Sequence, residues 1–260
     1  MTEFLNATPQ EVRRQRGTSY GFGMPLVDAV TAGYLLPPGS RIITISDSRV
    51  GEKEAQRMGE LMNIIHGKTG TRRVLSLFDG AGSTSYAIAR ALPGAQVTGI
   101  DNDHEIHVRG KHNIQHAGLM DRVTLIEADA LTYLDTAGEF DAIFIDPLWP
   151  DDPERYRDGR PFSLTETIPP LTDIIPAASK HSSLIVARIP LVTDIPELTA
   201  MGERLRKELF IDTNQIEEPG GMKTKAAFFA ETGQLATSTR TAVFDPSKQI
   251  WETTAYQGQQ

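Results

Sequence analysis

From about residue 72 onward, short apolar runs alternate with amphipathic stretches, the pattern of a parallel sheet whose strands are joined by crossover helices. Val74-Leu75-Ser76-Leu77-Phe78 predicts a first strand, and residues 84–92 a helix capped by Ser83 or Thr84 and stopped by Pro93-Gly94. Residues 96–100 form the next strand. A helix follows over 104–117, with Asp103 as its cap and Gly118 just past its end. Strands are expected over 123–126, 141–145 and 183–189, and a helix over 196–209 with Pro196 in its first turn, where no amide donor is missed. Residues 210–216 and 223–230 read as two strands. The turn Glu218-Pro219-Gly220-Gly221 joins them too closely for a parallel crossover, so they should pair antiparallel. The expected fold is therefore α/β: a doubly wound, seven-stranded, mostly parallel sheet closing on a C-terminal antiparallel hairpin.

The flanks follow a different pattern. Met58, Leu61, Met62 and Ile65 recur at helical spacing, so a helix over 52–66 should pack on the main domain. Pro37-Pro38-Gly39 predicts a turn before a short apolar run over 41–45. The Thr-, Ser- and Gln-rich end suggests one more strand near 241–244 and a disordered terminus. This divides the chain into an N-terminal helical extension (1–70), a main domain (71–231) and a tail (232–260).

Composition narrows the chemistry. The absence of cysteine excludes disulfides, thiolate metal sites and cysteine nucleophiles. The net charge of -8 argues against a surface gripping long nucleic acid, and leaves room for a short contact at a locally basic site. The opening Met1-Thr2-Glu3-Phe4-Leu5 has no basic segment leading into an apolar run, and no apolar stretch approaches the ~18 residues of a membrane span. A soluble, cytoplasmic protein without membrane contact is expected. Nothing in the sequence indicates an oligomeric state.

Gly80 and Gly82 fall between a strand and a helix, where missing side chains let the backbone approach a ligand. Asp101, nineteen residues after Gly82 and at the end of the next strand, is placed to accept hydrogen bonds from both ribose hydroxyls. Ser85 stands where a dinucleotide loop would carry its third glycine, which favours a nucleoside without a pyrophosphate. Asp129 is placed to accept from an adenine amine. Ser76, Phe78, Asp79, Ser83, Asn102 and Ala130 complete the expected cofactor-binding set. Plainer readings stand beside these: a tight turn for the glycines, and helix caps for Asp101 and Asp129. On these motifs and the strand pattern, residues 72–231 resemble class I S-adenosylmethionine-dependent methyltransferases. The resemblance implies S-adenosylmethionine as cofactor. Ser76 stands where that class commonly has an acidic residue, which makes Asp79 the candidate for the methionine ammonium group.

Leu75-Ser76-Leu77-Phe78-Asp79-Gly80 also resembles the first motif of DNA cytosine carbon-5 methyltransferases. Those enzymes attack the base with a cysteine, and this chain has none. Asp146-Pro147-Leu148-Trp149, after the fourth strand, points elsewhere. It resembles the Asp/Asn/Ser-Pro-Pro-aromatic motif of methyltransferases acting on exocyclic amines, with Leu148 in place of the second proline. The resemblance implies that Asp146 and the Pro147 carbonyl accept the hydrogens of the amine while Trp149 stacks on the base, a contact worth about 1–3 kcal/mol. Alignment of an already activated methyl group needs no metal.

Downstream, Ile185-Val186-Ala187-Arg188-Ile189-Pro190, Asp194-Ile195-Pro196 and the hairpin ending in Ala226-Ala227-Phe228-Phe229 make the chain most similar to the trimethylguanosine synthase family. That similarity implies guanine N2 in a cap-like RNA as the target. The family's Gly-Gly-Pro-Asp-Tyr is replaced by Pro150-Asp151-Asp152-Pro153-Glu154-Arg155-Tyr156. An adenine or guanine amine of ribosomal RNA or DNA, a protein side-chain amide, and a catalytically silent binding module remain alternatives. Arg155, Arg157 and Arg160 are candidate phosphate contacts, although the interleaved acids equally suit a solvated loop. Lys68, Arg72 and Arg73 form a weaker candidate patch. His104, His107, His112 and His116 fall on one predicted helix and are read as a solvated face.

Overall fold

The first 70 residues build more than one helix. They form α1 (Pro9–Arg16), a two-stranded ribbon of β1 (Tyr20–Gly21) and β2 (Met24–Pro25), α2 (Leu26–Thr31) and α3 (Ser48–His66). The computed structural model describes the chain apart from residues 1–4, 17–18, 40, 42–44, 69, 151–152, 218–222, 232–236, 246, 249 and 257–260. At 153, 156, 157, 223, 237, 238 and 254–256 it describes the backbone alone. The short run expected over 41–45 thus falls largely outside the described residues. Helix α3 begins four residues before the predicted 52 because Asp47 caps it, accepting from Arg49 N at 3.1 Å.

The main domain follows with β3 (Arg72–Leu77), α4 (Ser83–Ala91), β4 (Ala95–Asp101), α5 (His104–His116), β5 (Val123–Glu127), α6 (Ala130–Leu134) and β6 (Ala142–Ile145). After α7 (Pro153–Asp158) and the 3-10 turn Leu164–Glu166 come α8 (Leu171–Ala178), β7 (Leu184–Ile189), α9 (Ile195–Leu205), β8 (Glu208–Ile216) and β9 (Lys223–Ala230). All seven expected strands are present, each bound lying within two residues of its predicted position. Helix α9 stops at Leu205, short of the predicted 209, because Arg206 turns left-handed at φ 55°. Lys207 then donates to the carbonyl of Ser182 at 3.2 Å and pairs with Glu231.

Among the described residues the sheet has nine strands: beyond the seven of the main domain, β10 (Thr237–Asp245) covers and extends the strand expected near 241–244, and β11 (Ile250–Tyr256), which the sequence pattern does not predict, continues the sheet at that edge. Its order is β11-β10-β8-β9-β7-β6-β3-β4-β5. Strands β3 to β7 are mutually parallel, and β9 runs antiparallel between β7 and β8. Strand β10 pairs parallel with β8 and turns back into β11. The tail therefore belongs to the sheet, anchored where Phe244 and Trp251 pack with Val50 and Ile216.

Alternation along the strands separates two apolar layers. Val74, Val97, Phe144 and Val186 face α3, α4 and α5, whereas Leu75, Ile100, Ile143 and Ile185 face α6, α8 and α9. Helix α3 carries Ala55, Met58, Leu61 and Met62 into the first layer, so the extension is integral to the core. Strands β6 and β7 are buried on both faces, as expected of central parallel strands. Connections leave β3 toward one side of the sheet and β6 toward the other. The carboxyl ends of these neighbouring strands are the switch point at which ligands bind in such sheets.

Candidate active site

Strand β3 runs into Phe78-Asp79-Gly80-Ala81-Gly82, where Phe78, Gly80 and Gly82 adopt left-handed φ values of 61°, 59° and 85°. Gly82 itself caps α4, so neither Ser83 nor Thr84 is the cap that the sequence suggested. A Cβ on Gly82 would come within 3.3 Å of the backbone of Gly110. Both glycines are thus required where α5 crosses the loop. Asp101 Oδ2 accepts from Gly80 N at 2.9 Å and Oδ1 from Asp103 N at 3.0 Å. Burial raises its pKa, against the pull of those two backbone donors. Each oxygen keeps acceptor capacity for a hydroxyl.

Asp79 lies beneath the loop, buried. Its Oδ1 accepts from Ser76 Oγ at 2.7 Å, Ser85 N at 2.9 Å and Ser85 Oγ at 2.8 Å. Its Oδ2 is buried without a hydrogen-bond partner among the described residues, and a Cβ on Gly99 would meet it at 2.7 Å. Burial pushes this carboxyl up to about 7. Asp129 caps α6 through Thr132 N at 2.9 Å while remaining exposed, so the capping role is real and one oxygen is left over. Asn102 is exposed and Ala130 buried next to these acids. The acceptors of Asp101 and Asp129, the left-handed glycine loop between β3 and α4, and the flanking apolar residues fit an adenosine-type cofactor.

Asp146-Pro147-Leu148-Trp149 emerges from β6 beside that loop. Asp146 Oδ2 is bonded by Ser46 Oγ at 2.9 Å and by Arg188 Nη1, with Thr84 Oγ1 at 3.5 Å, and Oδ1 has no bond among the described residues. Leu148 is 54% exposed and bridges to Ile168, itself 70% exposed. Trp149 is half-buried, with no partner for Nε1 among the described residues. These residues form an apolar, partly open ledge next to an available carboxylate oxygen.

The supporting side chains were not singled out by their sequence. Arg188 on β7 is buried and donates through Nε and Nη2 to Glu54 Oε2 at 3.0 and 2.6 Å. Glu54 Oε1 accepts from Thr224 Oγ1 at 3.3 Å and Asn214 Nδ2 at 3.4 Å. Burial works against both charges. It raises the Glu54 pKa against the pull of Arg188, while at Arg188 the two carboxylates outweigh it and the net shift is upward. Every contact to Glu54 donates into it, the pattern of an ionised carboxylate. A signal for both residues existed: Arg188 interrupts an apolar strand run, and Glu54 lies four residues before Met58 on the apolar stripe.

The candidate phosphate contacts are more dispersed. Arg155 pairs with Glu166 at 2.8 Å and lies over the Phe162 ring at 5.7 Å. Arg160 is exposed, 3.8 Å from Asp158, and the Arg157 side chain lies outside the described residues. Arg72 and Arg73 start β3 at the opposite edge of the sheet from Asp146, where Arg72 meets Asp141 at 3.5 Å and Arg73 covers Phe140. On α5, His104 bonds Glu127 at 2.8 Å, and the rings of His112 and His116 stack in parallel at 6.0 Å.

Sheet order, switch-point loop and acidic strand end together define a class I methyltransferase fold, the class whose methyl donor is S-adenosylmethionine. A family model for RNA cap guanine-N2 methyltransferases matches residues 71–232, and the chain belongs to that family. A Porphyromonas gingivalis W83 protein assigned as a methyltransferase superposes with a TM-score of 0.62 at 14% identity, covering 96% of this chain and 62% of that one. The delta-N METTL16 methyltransferase domain gives 0.52 at 14% identity, covering 85% and 92%. The release factor glutamine methyltransferase of Rhodopirellula baltica is 36% identical over 74 residues, 28% of this chain and 25% of that protein. The corresponding Gloeobacter violaceus enzyme is 37% identical over 75 residues, 29% and 26%. The chain thus matches about a quarter of the length of these curated relatives.

Proposed function

We propose that the protein transfers a methyl group from S-adenosylmethionine to an exocyclic amine of a nucleobase, guanine N2 in a cap-like RNA. The observation that carries this reading is Asp146 Oδ1, without a hydrogen bond among the described residues, beside half-buried Trp149 and next to the glycine loop.

An amine conjugated to a ring is a poor nucleophile because its lone pair is delocalised. Asp146 Oδ1 and the Pro147 carbonyl accept its two hydrogens, which turns the nitrogen toward the methyl group, and Trp149 holds the ring. Asp101 and Asp129 would hold the ribose and the adenine, with the Gly80–Gly82 backbone against the remainder. The bound cofactor supplies a methyl group already activated by a sulfonium. With the cofactor bound there, the nitrogen lone pair would form the new carbon–nitrogen bond as the carbon–sulfur electron pair remained on sulfur, and Asp146 would pass the amine proton to solvent. Alignment at near-attack distance supplies most of the acceleration.

The substrate class is tested by offering labelled cofactor to capped and uncapped RNAs, followed by digestion to nucleosides. Label in N2-methylguanosine is expected, dependent on the cap. Label confined to adenosine contradicts the guanine assignment. The partial likeness to release factor glutamine methyltransferases makes a planar side-chain amide the second reading, supported if only a glutamine-containing protein substrate is labelled.

A further inference from the structure

The N-terminal extension contributes to the hold on Asp146, beside Arg188 and Thr84 of the main domain. Ser46, just before α3, donates from Oγ to Asp146 Oδ2 at 2.9 Å and accepts from Arg188 Nη1 at 2.7 Å. Its backbone N donates to Ser83 Oγ at 3.0 Å, which ties it to the first residue of α4. Glu54, in α3, takes Nε and Nη2 of Arg188 on a single oxygen. Thr224 and Asn214 brace its other oxygen from β9 and β8.

We propose that Glu54 and Ser46 are positioning residues that confine Arg188 and Asp146 to a one-oxygen contact, keeping Asp146 Oδ1 open for the amine that receives the methyl group. This rests on the amine-methylation reading above. A guanidinium offers two edges, each able to grip a carboxylate through both oxygens. With the Nε/Nη2 edge committed to Glu54, Arg188 reaches Asp146 through Nη1 alone. Released from Glu54, Arg188 is free to swing onto both oxygens of Asp146 and take the acceptor that the amine needs. Ser46 stops the carboxylate from rotating by holding the same Oδ2. Two carboxylates around one guanidinium also leave one net negative charge beside the nitrogen, which becomes positive as the methyl group arrives. The N-terminal segment thereby completes the site.

The test needs no methyl acceptor. Calorimetry on the full chain compares S-adenosylhomocysteine with sinefungin, in which a carbon replaces the sulfonium sulfur and carries an amine in place of the methyl group. The wild type should prefer the amine by about tenfold, the worth of one charge-assisted hydrogen bond. In Glu54→Gln and Ser46→Ala that preference should fall to about one- to twofold, with S-adenosylhomocysteine affinity kept within about twofold. Unchanged preference in both variants overturns the positioning role. Absence of any preference in the wild type instead sinks the placement of Asp146 at the transferred group, and with it the amine reading. Unaltered affinity for the sulfide reports an intact fold, and if Glu54→Gln does not fold, Ser46→Ala decides alone.

Discussion

The acids around the glycine loop divide the work. Asp101 accepts one backbone amide on each oxygen and keeps further acceptor capacity on both, Asp129 caps α6 with one oxygen and leaves the other over, whereas Asp79 turns inward and binds the loop to Ser76 and Ser85. Asp101→Ala should weaken S-adenosylhomocysteine binding by about tenfold or more in calorimetry, the cost of one or two hydrogen bonds to a charged group. Trp149→Ala should leave that affinity unchanged and abolish turnover. Equal cofactor affinity in wild type and Asp101→Ala would refute the ribose assignment. Asp79 carries a pH signature. Its folded pKa lies near 7, above the 3.8 of a free aspartate, so its contribution to stability is fully present below about 4 and is lost as pH rises toward 7. Thermal melts from pH 5 to 8.5 should therefore show a decline with pH in the wild type that is flattened in Asp79→Asn.

At the level of elements, α3 does what its apolar stripe predicted and also what that stripe concealed. Met58, Leu61 and Met62 pack on the sheet as their spacing indicates. Glu54, on the same face, was passed over because an acid within an apolar stripe has meaning only once its partner is known, and Arg188 lies 134 residues away. Replacing Arg188 by Met leaves buried Glu54 and partly buried Asp146 as neighbouring charges without their shared cation and should cost about 3–5 kcal/mol in denaturant unfolding. The triple variant with Glu54→Gln and Asp146→Asn should recover much of that loss. The tail strands were only half legible. Thr241-Ala242-Val243-Phe244 alternates as a strand should, but the partners of β10 and β11 lie in β8 and α3, and short polar strands show no such pairing in isolation. Phe244→Ala should lower stability by about 3 kcal/mol if that edge is packed as described, and by almost nothing if it is frayed.

For the molecule as a whole, the sheet was readable because each strand of the main domain is bounded by its own turn or cap and buried on a predictable face. The cofactor loop and Asp146-Pro147-Leu148-Trp149 were readable because their chemistry is local in sequence. What could not be read is the way three distant segments, residues 46–54, the end of β6 and the end of β7, converge on one carboxylate. That convergence joins the N-terminal extension and the main domain into one site. The central claim is that this site directs a methyl group to an exocyclic nitrogen. It is tested most directly by transferring a 13C-methyl group to 15N-labelled capped RNA and observing the product by NMR. One-bond carbon–nitrogen coupling to the exocyclic amine of guanine is predicted. A methyl carbon coupled to no nitrogen, bonded instead to oxygen or ring carbon, would contradict the account.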